Sequence, residues 1–319
     1  MSENHTGWER SVLEKLALAA VDEQRRARRW GIFFKFLIFG YLFVVLAIAM
    51  GWFSKKDGGA GAGGKHTALV EVNGVIAPGS AASADLVMQG LAEAFKDKRT
   101  QGIILRINSP GGSPVQSGYI NDEIKRLRAK HPETPLYAVV EDVCASGGYY
   151  IAVAADKIYV NKASMIGSIG VLMNGFGFTG AMEKLGVERR LLAAGENKGF
   201  LDPFSPLNDE QKGHAKQMLT EIHEQFIDVV RKGRGKRLKE TPEMFSGLVW
   251  VGQKSIELGL ADAIGSAEQV ARDVIKAEDI IDFTPRENVA ERFAKRFGAA
   301  AAETLVKLGG AGVINLQMR

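Results

Sequence analysis

The sequence predicts an α/β protein built of βαβ units and carried behind a single transmembrane helix. Two observations support this prediction. Between residues 68 and 282, short runs of β-branched and apolar residues alternate with segments of helical spacing, a pattern typical of parallel strands joined by helices. A long apolar segment near the N-terminus precedes them, and a glycine-rich stretch separates the two. The chain of 319 residues is long enough to bury a large core.

Residues 31–53 are the predicted transmembrane helix. Their uninterrupted apolar part, residues 36–53, spans roughly 27 Å at about 1.5 Å per residue, close to the hydrocarbon thickness of a bilayer, about 30 Å. Trp30 and Trp52 stand at its two ends, as aromatic residues do at membrane interfaces. One alternative is a buried core helix. The other is a cleaved signal peptide, which is disfavoured because the segment starts far into the chain and lacks a small-residue cleavage site.

The positive charge lies around this apolar segment. The chain has a formal net charge of +4, and residues 1–56 hold nine Lys or Arg against five Asp or Glu, whereas the rest is balanced at 32 against 32. This distribution argues against a nucleic-acid partner, since the excess positive charge flanks the apolar segment and the rest of the chain is balanced. Lysine and arginine concentrate on the cytoplasmic side of a span. Four arginines therefore predict a cytoplasmic segment 1–30, an inner-membrane location and a periplasmic globular part: Arg25, Arg26, Arg28 and Arg29.

Composition divides the remainder of the chain into a linker, a globular domain and a tail. We expect a glycine-rich linker at residues 54–66, a domain at 67–285 and a C-terminal tail of helical pattern at 286–319. The expected strands are 68–76, 102–108, 136–142, 157–161 and 188–194. The expected helices are 86–96, 116–130, one opening at Cys144, 209–232, 241–247 and 252–259.

Two glycine-rich turns follow two of the predicted strands. The first is Ser-Pro-Gly-Gly at residues 109–112, and the second is Ala-Ser-Gly-Gly at 145–148. Paired glycines let a ligand approach the backbone closely, and a serine at a helix N-terminus has an exposed hydroxyl beside free N–H groups. Acyl transfer needs a nucleophile and two donors for the oxyanion. The turns therefore indicate Ser146 as a nucleophile, with Gly112 and Gly147 as the donors.

A serine nucleophile also needs a base. The histidines stand in no motif-like setting: His5 precedes the apolar segment, His66 is in the expected linker, His131 starts a loop, and His214 and His223 lie on a polar helix. A lysine can act as the base only if it is neutral. Lys198, in a loop rich in Gly, Asn and Pro, is one candidate, and Lys157 and Lys162 are rivals.

Three motifs in order resemble the signal peptide peptidase A family of serine peptidases. They are INSPGG at residues 107–112, ASGGYYIA at 145–152 and GSIGV at 167–171. The similarity covers roughly residues 68–282, and the chain has a single catalytic-type domain like the short family members. The resemblance implies a ClpP/crotonase-like α/β spiral.

The resemblance also implies a role for each site residue. It implies a Ser/Lys dyad of Ser146 and Lys198, the latter followed by Asp-Pro-Phe at 202–204. It implies that Ser168 orients the lysine, and that Gly112 and Gly147 form the oxyanion hole. No metal or cofactor is implied.

The partners implied are cleaved signal peptides as substrates, the lipid bilayer, and further copies of the chain in a homo-oligomer. In such an oligomer the lysine can come from a neighbouring subunit. Apolar residues near the site could line a substrate groove or belong to the core: Met165, Ile166, Leu172, Met173 and Phe176.

Three other functions remain open. The first is a membrane serine peptidase of the NfeD-associated kind, which shares the fold and dyad but has other membrane substrates. The second is a catalytically silent membrane scaffold. The third is a crotonase-like acyl-CoA enzyme, which the membrane anchor and the outward orientation disfavour.

Overall fold

The computed structural model describes residues 5–49 and 64–286, which belong to two separate compact units. The N-terminal part is one long helix, α1 (His5–Ala49). Within it, Glu23–Ala47 has a mean hydropathy of 2.1 and is long and apolar enough to cross a membrane. An N-terminal apolar helix compatible with a membrane anchor is therefore present. Residues 50–53 of the expected span, most of the expected linker and the tail beyond residue 286 lie outside the described residues.

Residues 64–286 form an α/β unit around an eight-stranded sheet. Its main row of strands runs β6-β5-β3-β2-β1-β8, and β4 pairs with β3 and β7. All of the pairings are parallel except β5 with β6. The strands are β1 (His66–Asn73), β2 (Thr100–Ser109), β3 (Leu136–Ala145), β4 (Lys157–Val160), β5 (Met165–Gly167), β6 (Val249–Val251), β7 (Ala263–Ile264) and β8 (Ile280–Asp282).

Helices pack on the sheet, mostly on one face. A large buried core lies between this face and α2, α3, α4 and α6, and a smaller one lies under α8 on the other face. The middle of strand β2, Ile103–Leu105, is continuously apolar, and its Ile104 and Leu105 are both fully buried although they point to opposite faces. The helices are α2 (Ala84–Lys96), α3 (Pro114–Lys130), α4 (Gly147–Ala152), α5 (Thr179–Lys184), α6 (Asp209–Arg234), α7 (Gly252–Glu257) and α8 (Ala267–Gln269), with a 3-10 turn at Gly235–Arg237 and a π-helical turn at Val270–Ile275.

A buried ion pair fastens the end of α6 to the sheet. Arg234 is 1% exposed and forms two hydrogen bonds of 2.9 Å with the carboxylate of Asp262. Asp262 in turn accepts from the Ile158 N–H at the start of β4. Burial alone would raise the pKa of Asp262, but the hydrogen bonds and charge of Arg234 lower it below the ordinary value. The pair therefore keeps both charges compensated inside the unit.

The α/β prediction with parallel βαβ units is confirmed, and four local expectations are wrong. His66 is not in a linker, since it is the first residue of β1 and is 1% exposed. Residues 241–247 form consecutive turns rather than a helix, because the chain must reverse there to enter the antiparallel strand β6.

The other two errors concern the surroundings of the expected site. No strand forms at residues 188–194, which are exposed, because no neighbouring strand within the described residues pairs with them. No helix opens at Cys144, because Cys144 pairs with Ser109 in the sheet. Helix α4 starts three residues later, at Gly147.

Candidate active site

Ser146 stands at a sharp turn between β3 and α4. Its φ of 52° and ψ of −120° lie in a region that non-glycine residues rarely adopt. Its backbone N–H donates to the Gly167 carbonyl of the neighbouring strand β5 at 2.8 Å. Strained backbone of this kind concentrates at functional sites. The serine is therefore held at the carboxyl edge of the parallel sheet by pairing on the strand side and by a helix on the other.

The Ser-Pro-Gly-Gly turn lies directly against this serine. A Cβ placed on Gly111 would stand 2.7 Å from both the Gly147 nitrogen and the Ser146 Cβ, so a side chain at residue 111 has no room. The φ of Gly111 is +99°, which also favours glycine. Ser109 braces the turn, because its hydroxyl donates to the Gly74 carbonyl at 2.6 Å and accepts from the Gly111 N–H at 3.1 Å.

Two backbone N–H groups converge near Ser146. The Gly111 carbonyl accepts a hydrogen bond from the Ile76 N–H, and the Ser113 N–H donates to the Ile76 carbonyl. Gly112 lies between them in this parallel bridge, so its own N–H points away from Ile76. Gly147 is the first residue of α4, and its N–H therefore lacks a partner within the helix. A Cβ built on Gly147 would lie 3.3 Å from the Gly112 nitrogen. The structure thus brings together the two glycines that the sequence suggested as oxyanion donors.

Ser168, the residue directly after strand β5, lies beside Ser146. Ala145 pairs with Gly167 in register, so the residues that follow them are neighbours at the same edge of the sheet. Ser168 has a φ of 52°, and its N–H donates to the Leu248 carbonyl at 2.7 Å. Ser146 and Ser168 are both partly buried. The edge therefore collects Gly112, Ser146, Gly147 and Ser168.

No side-chain hydrogen bond or ion pair within the described residues joins Lys198 to this cluster. Lys198 is exposed, in a turn closed by its own N–H to the Gly195 carbonyl at 3.0 Å. Neither its ammonium group nor the Ser146 hydroxyl forms a hydrogen bond or an ion pair with any residue of the described part of the chain. Lys198 belongs to what we call the connecting segment, residues 171–207, between β5 and α6.

The rival lysines fit this site no better. Lys157 pairs with Tyr137 near the start of β3. Ser146 follows the other end of β3, so at about 3.3 Å per residue the two are roughly 30 Å apart. Lys162 is exposed, and its carbonyl accepts from the Gln253 N–H at 3.2 Å.

The connecting segment exposes much apolar surface. Ile166, one of the suggested groove residues, is buried in the core, whereas Met165 is 46% exposed. The groove residues within the segment are exposed, and so are many of its other large apolar side chains. Those exposed by 43% or more are Leu172, Met173, Phe176, Phe178, Leu185, Val187, Leu191, Leu192, Phe204 and Leu207.

One histidine comes closer to the site than the sequence suggested. The Nε2 atom of His223, on α6, lies 3.2 Å from the carbonyl of Ile169, the residue after Ser168. Within residues 64–286, the other histidines contact residues elsewhere: His66 contacts Thr100, His131 contacts Glu133, and His214 contacts Phe200. Only the packing of α6 reveals this contact, because His223 is 54 residues from Ile169 along the chain.

Neighbouring polar groups are held in unreactive forms. Burial raises the pKa of the Cys144 thiol, so the thiol stays protonated and unreactive. Burial likewise raises the pKa of Tyr149. The Tyr149 hydroxyl donates to the Leu260 carbonyl at 2.8 Å, which fastens α4 to the body of the unit.

Comparison with known proteins places the chain in a family. Residues 128–280 match the family model described as Peptidase family S49. The chain is 30% identical over 232 residues to an Enterococcus faecium protein named "Putative signal peptide peptidase SppA", covering 70% of this chain and 67% of that protein. It is 31% identical over 204 residues to the Synechocystis sp. protein "Putative protease slr0021", covering 64% and 71%.

Other relatives are much longer than this chain. A Brucella melitensis protein named "Na(+)/H(+) antiporter NhaA" is 46% identical over 175 residues, which cover 55% of this chain and 24% of that protein. The chain thus spans about a quarter of that relative. Among solved structures, the membrane-bound stomatin-specific protease 1510-N with a substrate peptide matches with a TM-score of 0.40 and 15% identity, covering 64% of this chain and 77% of that chain.

The fold and the turn geometry define an α/β protein that has a mostly parallel sheet and a serine turn at the carboxyl edge of that sheet. The chain is a member of peptidase family S49, of the signal peptide peptidase A type.

Proposed function

We propose that this protein is a membrane-anchored serine endopeptidase in which Ser146 is the nucleophile and Lys198 is the general base. The observation that carries the proposal is the placement of Ser146 at a strained turn beside the N–H groups of Gly112 and Gly147. Such a turn presents a hydroxyl and two oxyanion donors together, which is the arrangement that acyl transfer requires. Membership of family S49 supports peptide bonds as the bonds cleaved.

The reaction follows from this arrangement. Neutral Lys198 takes the proton of Ser146 Oγ, which attacks the peptide carbonyl carbon, and the N–H groups of Gly112 and Gly147 hold the resulting oxyanion. The lysine then gives the proton to the leaving amine as the C–N bond breaks. Water attacks the acyl-enzyme, its proton passes to the lysine, and the bond to Oγ breaks to restore the serine. We assign to Ser168, which lies beside Ser146, the role of orienting the lysine amine.

Assembly of several copies would complete the dyad. In the single chain Lys198 has no polar contact with Ser146 and stands on a connecting segment whose apolar side chains are exposed. Exposed apolar side chains of this kind are often part of a protein–protein or membrane interface when they form a patch. A homo-oligomer would cover this surface and bring a lysine to a serine, in the same chain or between neighbours.

The substrates we propose are cleaved signal peptides. The name of the Enterococcus relative supports this substrate class, and a membrane anchor in the same chain would keep the enzyme at the bilayer in which such peptides are left. The four arginines before the apolar part of α1 support a cytoplasmic N-terminus and a periplasmic catalytic unit at the inner membrane.

The test compares wild type, Ser146→Ala and Lys198→Ala in detergent on an apolar peptide substrate. We expect each substitution to lower kcat by about 10⁴-fold or more, with unchanged melting temperature. Full activity in both variants would refute the dyad. An inert wild type that still assembles with partners would favour the membrane scaffold, and activity restricted to other membrane proteins would favour the NfeD-associated kind.

Mixing the two inactive variants tests the assembly. If serine and lysine come from neighbouring copies, co-assembled Ser146→Ala and Lys198→Ala chains contain some complete sites, so activity returns in part. If one chain supplies both residues, the mixture stays inactive, because no chain then carries both. Size-exclusion chromatography of each variant is the control for assembly.

A further inference from the structure

A buried polar pair on α3 lies directly behind the helix that carries the nucleophile. Ser117 and Asn121 are four residues apart, so they share one face of α3, and both are fully buried. Both side chains contact α4 or its start. Neither residue belongs to the motifs that identify the family site.

Asn121 is tied to Ser146 through two consecutive hydrogen bonds. Its amide Nδ2 donates to the Tyr150 carbonyl at 2.6 Å, and the Tyr150 N–H donates to the Ser146 carbonyl at 2.9 Å. Tyr150 O is one of the last carbonyls of a six-residue helix, which have no partner within it. The other terminal carbonyls of α4 accept from the backbone of the following turn: Tyr149 from Val153, Ile151 from Ala154, and Ala152 from Ala155.

Ser117 forms the wall against which Gly147 packs. A Cβ built on Gly147 would lie 2.4 Å from the Ser117 Oγ, so the hydroxyl stands almost in contact with the Gly147 Cα hydrogens. The hydroxyl is itself held by donation to the Ser113 carbonyl at 3.0 Å. This wall defines how near Gly147 comes to Gly112, the other oxyanion donor.

Asn121 carries a cost that folding alone does not explain. Its Oδ1 atom is buried and has no hydrogen-bond partner within the described residues. An unpaired buried oxygen disfavours the folded state, and an apolar residue of similar size would avoid it. What the amide adds is the donated bond to α4.

We propose that Asn121 is a positioning residue for the reaction, with Ser117 as its packing support. By holding the Tyr150 carbonyl, Asn121 fixes the axis of α4, so that the Gly147 N–H and the Gly112 N–H point at one oxyanion. The inference rests on the proposed function, because it assigns a role within that reaction. Loss of the bond lets α4 shift, which weakens the oxyanion contacts of the transition state more than the binding of the substrate.

The experiment uses the full chain in detergent and compares Asn121→Leu, Asn121→Asp and wild type. Leucine removes the donor and the unpaired oxygen together, and aspartate keeps the shape but loses the donor. We expect kcat to fall 10- to 100-fold in both variants with KM within twofold. A peptide aldehyde, whose adduct with Ser146 has an oxyanion, should lose affinity by the same factor as kcat.

The matched control is Ile124→Ala, three residues further along α3 and also fully buried. It removes core volume and lowers the melting temperature but touches no part of the site, so kcat and aldehyde affinity should stay within twofold of wild type at a temperature where both fold. Asn121 variants that lose no more kcat than Ile124→Ala would overturn the positioning role, as would a fall in aldehyde affinity matched by an equal rise in KM. A wild type with no Ser146-dependent activity refutes the proposed function itself, which is a different result.

Discussion

The carboxyl edge of the sheet and the connecting segment contrast sharply in how their residues are held. At the edge, Ser146, Gly147 and Ser168 are fixed by strand register, a glycine turn and a short helix whose neighbours leave no room for a side chain. In the connecting segment, Lys198 is exposed and makes no polar side-chain contact within the described residues. The helix inside the segment, α5, buries none of its residues.

This difference separates the candidate site residues that the single chain holds in place from Lys198, which it leaves exposed. The fold holds the proposed nucleophile and the proposed oxyanion donors in place, so their arrangement would need no reorganisation during the reaction. The proposed base, Lys198, is exposed in a segment with exposed apolar side chains, and in the proposed assembly a second copy would cover that surface. Catalysis would then depend on assembly, and an isolated chain would be inactive without being unfolded.

We expect the largest effect on stability from Asp262→Asn, because this substitution breaks a buried ion pair in the α/β unit that carries the candidate site. The substitution leaves the buried Arg234 guanidinium without its carboxylate, and breaking a buried pair in this way costs about 3–5 kcal/mol. Urea denaturation at pH 7 measures it. Glu240→Gln is the control, since the Glu240–Arg231 pair is exposed and such pairs contribute about 0–1 kcal/mol.

The same variant has a defined pH dependence. The pKa of Asp262 is lowered in the folded protein, so its stabilisation is present above the pKa of an unfolded aspartate, about 3.9, and is lost as the pH falls through the folded pKa. The gap between wild type and Asp262→Asn should therefore shrink below about pH 4. A gap that stays constant down to pH 2 would show that the ion pair is not its source.

The next effect is expected from Gly147→Ala, which disturbs the edge directly. The new Cβ meets the Ser117 hydroxyl and would displace one of the two proposed oxyanion donors, so kcat should fall by about 10²–10³, or roughly 2.7–4 kcal/mol. Adding Ser117→Ala removes the hydroxyl in the way and should restore part of the activity. Steady-state kinetics on the apolar peptide measures both, and equal activity of the single and double variants would contradict the packing argument.

The smallest effect on folding is expected from Leu192→Ser in the connecting segment. Leu192 is 96% exposed, and a substitution at such a position changes the free energy of unfolding by about 0.5 kcal/mol or less. Assembly should weaken nonetheless, because the apolar surface that a second copy would cover is reduced. Analytical ultracentrifugation and urea denaturation together separate these results. A large loss of stability would mean that Leu192 is buried within the single chain.

The sequence alone was sufficient for the α/β class, for the apolar helix and for the serine turn. Continuous apolar runs such as Ile103–Leu105 of β2 favour burial, and paired glycines after a strand allow turn conformations with positive φ that other residues rarely adopt. These are local properties, so they can be recognised from the sequence without a structure. Local patterns were insufficient at residues 188–194, which are expected to form a strand but have no strand to pair with among the described residues.

Only the tertiary structure showed how distant residues meet at the edge. Register puts Ser168 beside Ser146 and α6 brings His223 to Ile169, while the buried face of α3 places Asn121 behind α4. These contacts depend on how strands align and helices pack across many residues, which no short motif encodes. Short local motifs therefore identify the residues of the candidate site, whereas the packing of distant residues supplies the contacts that orient them.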